Sequence, residues 1–318
     1  MTAGNLSCRR ARAALRARPK MVLFTSVRPL ERAENLRAVY DAYDGPKQFV
    51  QRDHSTPIEG MHSGKYRLMV TDGLIEDSPG KYIWIGHGMG AGKKIGLQHP
   101  TAKFKGSSLV TYAIASSEEM IPIVAGFCGI SEEQVIPLGM PRTDAYFNTK
   151  KTEAPYKRHL YAPTFRAGRW DPDLNLVWRL LPEGHRFIFK PHMVTGNRWE
   201  SYWPNVEIAS AHVPSTQYLV DADTVITDYS SIMFDAMVLR KPVILFAKDK
   251  DKYLRERGMY YKYPQMYSRM FCADEGQLIA SILNAEWTAR DEELRSFYAG
   301  ACDGHSTERT LELIRSCL

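Results

Sequence analysis

The chain reads as an α/β protein made of two βα halves of similar size, each built on a parallel sheet. Three observations predict this. Short apolar, β-branched runs alternate with stretches of helical spacing, the pattern of strands joined by crossover helices. The alternation breaks once, over residues 148–157 (NTKKTEAPYK), a polar and charged stretch with a linker's composition, and then restarts. With 318 residues, 44% hydrophobic and 25% charged, the composition is globular and supplies a sizeable core.

The first element is a basic tail. Arg9, Arg10, Arg12, Arg16, Arg18 and Lys20 fall in residues 1–20 with no acid among them. Setting these six aside leaves 36 of the 42 basic residues against 36 acidic ones. The body is therefore neutral, which argues against a nucleic-acid partner met by a broad basic face. The tail is either a solvated leader or an arm for an anionic membrane surface, at about 1 kcal/mol per basic residue near that surface. It lacks the apolar core of a secretory signal, and no run reaches the roughly 20 apolar residues of a membrane span. Cys8, Cys128, Cys272, Cys302 and Cys317 are odd in number, scattered and without a CxxC pair, which fits free thiols in a reducing cytoplasm and offers no zinc pattern.

Residues 21–27 (MVLFTSV) then predict a strand and residues 28–43 a helix. QFVQ, YRLMVT, KYIWIG, SLVTYAIA and QVIPLG predict further strands of a first domain spanning 21–150. HLYAPTF, RFIFKPH, NVEIA, DTVITDYSS and KPVILFA do the same for a second domain, 151–318, with DLNLVWRLL helical and a helical C-terminus from about Glu275. The cleft between two such domains is the natural place for a site.

The most informative stretch is 224–235 (TVITDYSSIMFD), where a buried strand ends and a helix begins. Asp228, Ser230 and Ser231 suit the junction in two ways. Their oxygens can cap free N–H groups of the first turn, or the same N–H groups and the hydroxyls can hold a phosphate. From spacing alone the two readings are even. Residues 86–96 (GHGMGAGKKIG) follow a strand but match neither a P-loop nor, except loosely, the dinucleotide fingerprint. They form a flexible turn that carries His87 and two lysines, and a histidine there is either a general base or an ordinary turn residue. Arg142 with Asp144, Thr164 with Arg166, and Lys190 with His192 end further strands. A cationic, hydroxyl-rich rim of this kind suits a pyrophosphate leaving group.

In order, HGMGAGKKIG, GMPRTD, LYAPTFR, FKPH, ADTVITDYSSIMFDAMVLRKPVILF and DGHSTERTLELI resemble the CDP-glycerol glycerophosphotransferase family of teichoic acid primases and polymerases and related capsule enzymes. The resemblance spans about residues 80 to 313. It implies a GT-B-like fold, two Rossmann-like domains facing a cleft, with the donor held by the second domain. It further implies transfer of an alditol phosphate, glycerol phosphate first, from a CDP-alditol to a hydroxyl of a lipid-linked or glycan acceptor, with release of CMP. His87 matches the family's HG histidine and would be the base. His192 matches the histidine of its HP motif, set here between Pro191 and Met193. Ser230 and Ser231 match the paired serines that hold the donor's phosphates, with Arg142, Thr164, Arg166, Lys190 and Asp228 in support. No cofactor is required, and no His/Cys cluster calls for a metal; a loosely held Mg²⁺ on the diphosphate is compatible with the motifs. The expected location is cytoplasmic, peripheral at the inner face of the membrane. Two other functions fit a GT-B chain: a glycosyltransferase using a nucleotide sugar, and a non-catalytic scaffold or lipid-binding protein of an envelope-polymer complex. The stretch after HG is richer in glycine than the family's, which bears on the acceptor type. The chain is also short and its first 80 residues match little, which favours a compact module that makes a single addition.

Overall fold

A computed structural model describes residues 21–52, 65–75, 80, 82–89, 92–93, 110–165, 172–192, 202–213 and 215–318. The basic tail, Arg166 and Lys94 lie outside the described residues. Two six-stranded sheets, parallel throughout, make up the frame. The first holds β1 (Met21–Ser26), β2 (Lys47–Gln51), β3 (Tyr66–Thr71), β4 (Tyr82–Trp84), β5 (Val110–Ile114) and β6 (Val135–Ile136), in the order β2-β1-β3-β4-β5-β6. The second holds β7 (Lys157–Tyr161), β8 (His185–Phe189), β9 (Val206–Ile208), β10 (Thr224–Thr227), β11 (Val243–Phe246) and β12 (Met270–Cys272), in the order β12-β11-β10-β7-β8-β9. The expected α/β architecture of two Rossmann-like sheets is what the chain adopts. Residues 149–156, between the sheets, carry neither helix nor strand.

Burial explains why these runs are strands. TVIT of β10 and VILF of β11 are buried at every position, the signature of parallel strands covered on both faces. Alternation sorts the side chains of β1: Val22 and Phe24 join Leu36 and Val39 on one face, while Leu23 joins Met69 and Tyr82 on the other. The helices are α1 (Glu34–Ala42), α2 (Ile121–Cys128), α3 (Asp144–Asn148), α4 (Leu174–Leu180), α5 (Thr216–Leu219), α6 (Ile232–Val238), α7 (Lys250–Glu256), α8 (Glu275–Leu283), α9 (Ala289–Ala299) and α10 (Ser306–Ser316). The helix expected over 28–43 is shorter than its periodicity suggested. Pro29 disfavours a helical Arg28, and a single 3₁₀ turn, Leu30–Arg32, precedes α1.

The last helices return to the first sheet. Ser116 Oγ donates to the Tyr298 carbonyl at 2.6 Å, and Ala301 N donates to the Ser116 carbonyl at 2.9 Å. Leu311 and Ile314 of α10 then pack with Val22, Phe24 and Leu36. Asp144 accepts from the Ser306 and Thr307 amides at 3.0 and 2.6 Å, satisfying the first turn of α10. Gly139, at φ +84°, permits this closure: a Cβ there would stand 2.2 Å from Ser306 Oγ and 2.4 Å from the Ala301 carbonyl oxygen. One core runs from Leu23, Met69 and Trp84 through to Tyr229, Phe234 and Tyr298, so the two halves share a continuous apolar interior.

Strand order locates the binding ends. In the first sheet the order turns between β1 and β3, and in the second between β7 and β10. Ligands of open parallel sheets sit beyond the carboxyl ends of strands at such turning points.

Candidate active site

The turn after β4 presents His87, and its shape is held from outside. Gly86 takes φ +60°, a conformation that favours glycine, and its carbonyl accepts from Asn35 Nδ2 of α1 at 3.1 Å. Asn35 Oδ1 accepts from the Arg142 amide at 3.1 Å, and Arg142 Nη1 donates to the His87 carbonyl at 2.6 Å. The remaining guanidinium nitrogens of Arg142 fork onto Asp235 of α6, Nε to Oδ1 at 3.1 Å and Nη2 to Oδ2 at 2.7 Å, while Tyr146 Oη donates to Oδ1 at 3.1 Å. Burial alone would lower the Arg142 pKa, but the Asp235 carboxylate outweighs it and the pKa is raised. This buried pair joins the two halves directly behind His87.

His87 is open to the cleft, yet the surrounding protein desolvates its ring. That desolvation, with Arg28 and Arg142 nearby, lowers its pKa to about 4, and a hydrogen bond to the Asp72 backbone opposes only part of the shift. At neutral pH the imidazole is uncharged, the form in which it can take a proton.

The second junction faces this turn. A Cβ at Gly88 would stand 3.7 Å from Ser231 Oγ and 3.8 Å from Arg142 Nη1. Ser231 occupies the cap position of α6 but makes no side-chain cap hydrogen bond. Ser231 thus does not cap α6 through its side chain, whereas Asp228 does accept from an amide of the junction. Ser231 is exposed and Ser230 half-buried, so both hydroxyls are within reach of the cleft.

Three of the expected donor ligands have partners within the protein. Asp228, wholly buried, accepts from the Thr164 amide at 2.8 and 3.1 Å and from the Tyr229 amide. It thereby ties the ends of β7 and β10 together at the turning point of the second sheet. Lys190, 4% exposed, donates to the Pro191 and Ala211 carbonyls at 3.0 and 3.2 Å, and burial lowers its pKa. Arg142 is taken up by Asp235 and the His87 backbone. Thr164 enters through its backbone amide, and Arg166 lies outside the described residues.

His192 stands half-buried with its ring 5.9 Å from that of Phe165. Its pKa is lowered, first by burial and then by Lys93 and Lys190, with Asp228 opposing. Lys93 reaches it from the first half: the Tyr260 amide donates to the Gly92 carbonyl at 3.0 Å and a bridge pairs Lys93 with Met259. The structure therefore brings His87, Ser231, Ser230 and His192 to the seam between the halves. Sequence reasoning missed Asp235, Asn35 and Tyr146, although an acid inside the apolar run IMFDAMV was a visible signal for Asp235. Among the described residues no group of three or more His, Cys, Asp or Glu could hold a metal ion, and no helix is long and apolar enough to cross a membrane.

The model of the CDP-Glycerol:Poly(glycerophosphate) glycerophosphotransferase family matches residues 48–316. The chain belongs to this family. It is 28% identical over 268 residues to the teichoic acid poly(ribitol-phosphate) polymerase of Bacillus spizizenii, an alignment covering 73% of this chain and 42% of that protein. With the teichoic acid glycerol-phosphate primase of Bacillus subtilis it shares 27% identity over 275 residues, 79% of this chain and 72% of the primase. The chain thus spans less than half of the polymerase and most of the primase. The fold is that of the wall teichoic acid polymerase TagF, with a TM-score of 0.75 over 99% of this chain and 98% of the TagF chain at 17% identity.

Proposed function

We propose that the chain transfers an alditol phosphate from a CDP-alditol to a hydroxyl of an acceptor in teichoic acid synthesis, releasing CMP. One observation carries this reading: a neutral histidine faces a pair of uncommitted serine positions across the seam of two Rossmann-like halves. The names of the relatives support the substrate class, and TagF itself has been crystallised after a soak with CDPG. Glycerol phosphate is the first choice of transferred group.

In the proposed step the acceptor oxygen attacks the alditol-bearing phosphorus in line as His87 takes its proton. The new P–O bond forms while the bond to CMP breaks, and CMP leaves with the electron pair. The hydroxyls of Ser230 and Ser231 donate to the donor's phosphates, and His192 donates from the second half, so the charge shed onto CMP meets placed donors. Arg142 and Asp235 act through His87 as positioning residues. We assign no resident metal; a Mg²⁺ effect would enter with the donor's diphosphate. Residues 1–20 are assigned to an anionic membrane surface on the cytoplasmic side, where a lipid-linked or glycan acceptor would be met.

The test is to incubate the chain with CDP-glycerol, CDP-ribitol and UDP-sugars and to follow the nucleotide released. CMP release that depends on an acceptor is expected. UDP release without CMP would overturn the reading in favour of a glycosyltransferase.

A further inference from the structure

The first sheet has a turning point of its own, between β1 and β3, and it lies beside His87. Ser26 ends β1, Asp72 follows β3 and Trp84 ends β4. A cavity of about 140 Å³ opens there, bordered by Asp72, Trp84, His87, Ile123, Phe127 and Ser231. Its first-half wall is largely apolar, and Ser231 reaches it from the second half.

Two polar atoms in that wall stand out. Asp72 Oδ1 and Trp84 Nε1 are buried and have no hydrogen-bond partner in the protein. The residues are 4% and 7% exposed. Burial raises the Asp72 pKa, and a hydrogen bond from the Ser26 hydroxyl, with Arg28 and Arg52 nearby, opposes only part of that shift, while Oδ1 is left over. Buried donors and acceptors are rarely left unpaired, because each loses its water without replacement. Both atoms are closed to water as the side chains stand, but they belong to residues that line one cavity. Turned toward it they match a group of hydroxyls: one donates to the carboxylate, another accepts from the indole N–H, and the carbon skeleton lies on Ile123 and Phe127.

We propose that this cavity is the acceptor subsite, in which Asp72 and Trp84 hold the hydroxyls of a terminal polyol unit and set one of them beside His87. The assignment rests on the reading of His87 as the base of an alditol-phosphate transferase. It adds which groups select the acceptor, and why a polyol terminus is preferred over an alkyl one.

The experiment uses the full chain, CDP-glycerol as donor and two soluble synthetic acceptors, one ending in glycerol phosphate and one ending in propyl phosphate, which lacks the diol. Asp72→Asn and Trp84→Phe should each raise KM for the diol acceptor about tenfold, the loss of one buried hydrogen bond, with KM for CDP-glycerol within about twofold of the original. Ile123→Phe, which narrows the cavity and leaves Asp72 and Trp84 unchanged, should do the same. Ligand-observed NMR with the diol acceptor alone provides a readout free of turnover: binding to the parent chain should weaken in both polar variants, and the propyl phosphate acceptor should bind weakly throughout. Undiminished binding of the diol acceptor by folded Asp72→Asn and Trp84→Phe chains would overturn the proposal. So would a raised KM for CDP-glycerol alone, which would place the donor's alditol in the cavity. A parent chain that binds the diol acceptor through Asp72 and Trp84 yet releases no CMP from any CDP-alditol would sink the functional reading while upholding the subsite.

Discussion

The two strand ends that meet at the seam are built in opposite ways. The Asp228–Ser231 junction is self-contained: the Asp228 carboxylate binds amides of its own neighbour Tyr229 and of Thr164 one strand away. The Gly86–Met89 turn is held by residues remote in sequence, Asn35 of α1, Arg142 after β6 and, through Arg142, Asp235 of α6. The Asp228–Ser231 junction can therefore be read from one short motif, whereas the position of the proposed base depends on both halves being docked. The family's chemistry needs that dependence, since an acceptor oxygen and a phosphorus must be brought into line from different walls.

The largest expected effect tests the base. His87→Ala should lower kcat by about 10²- to 10⁴-fold, the usual contribution of a general base, while leaving the thermal transition in place because the turn is held by its backbone. An acceptor-dependent CMP release close to that of the parent would remove His87 from the mechanism. Next comes the support. Asp235→Ala strands the Arg142 guanidinium, whose side chain is 9% exposed, and should cost about 3–5 kcal/mol in denaturant unfolding. An Arg142→Met, Asp235→Leu double substitution sharpens the contrast between the junctions. It should recover most of that stability without recovering turnover, because nothing then donates to the His87 carbonyl.

What the residues disclosed and what they hid follow the same division. The strands were legible because runs such as TVIT and VILF are apolar at every position, which parallel strands covered on two faces require. The positions of His87, Ser230 and Ser231 were legible because each follows the end of a strand. The return of α9 and α10 to the first sheet was not, since an amphipathic pattern gives a helix its apolar face but not the surface it covers. The protein partners of Arg142, Lys190 and Asp228 were not legible, because a charge at a strand end looks the same whether its partner is a phosphate or a buried carboxylate, carbonyl or amide. Only packing tells these apart. That Asp72 and Trp84 line one cavity was hidden for the same reason, being a product of strand order.

A smaller effect isolates the donor side. Ser230→Ala and Ser231→Ala should each raise KM for CDP-glycerol about tenfold, the loss of one hydrogen bond to a charged group. Ser231→Ala should change unfolding free energy by less than about 0.5 kcal/mol, as expected of an exposed residue that makes no cap bond. A cost nearer 1 kcal/mol would restore the capping role, since that is the usual loss when a working cap is removed.

The subtlest contrast sets His87 against His159, which lies at the opposite end of the second sheet. His159 is 1% exposed and stacks on His185 with ring centroids 5.1 Å apart. Burial first, then His185 and Lys157, lower its pKa to about 3, with Asp223 opposing. Both histidines are thus held neutral by the fold. In the unfolded chain each binds a proton below about pH 6.5, so the unfolded state gains protons first as pH falls. Their contribution to stability is complete above about 6.5 and is lost progressively on acidification, down to about 4 for His87 and about 3 for His159. His159→Gln should accordingly flatten the fall in melting temperature between pH 6.5 and 4 while leaving the acid limb of kcat/KM where it was. That limb should sit near 4 and belong to His87. An acid limb near 6.5 would mean that the cleft does not desolvate His87, and would reduce the difference between the two histidines to burial alone.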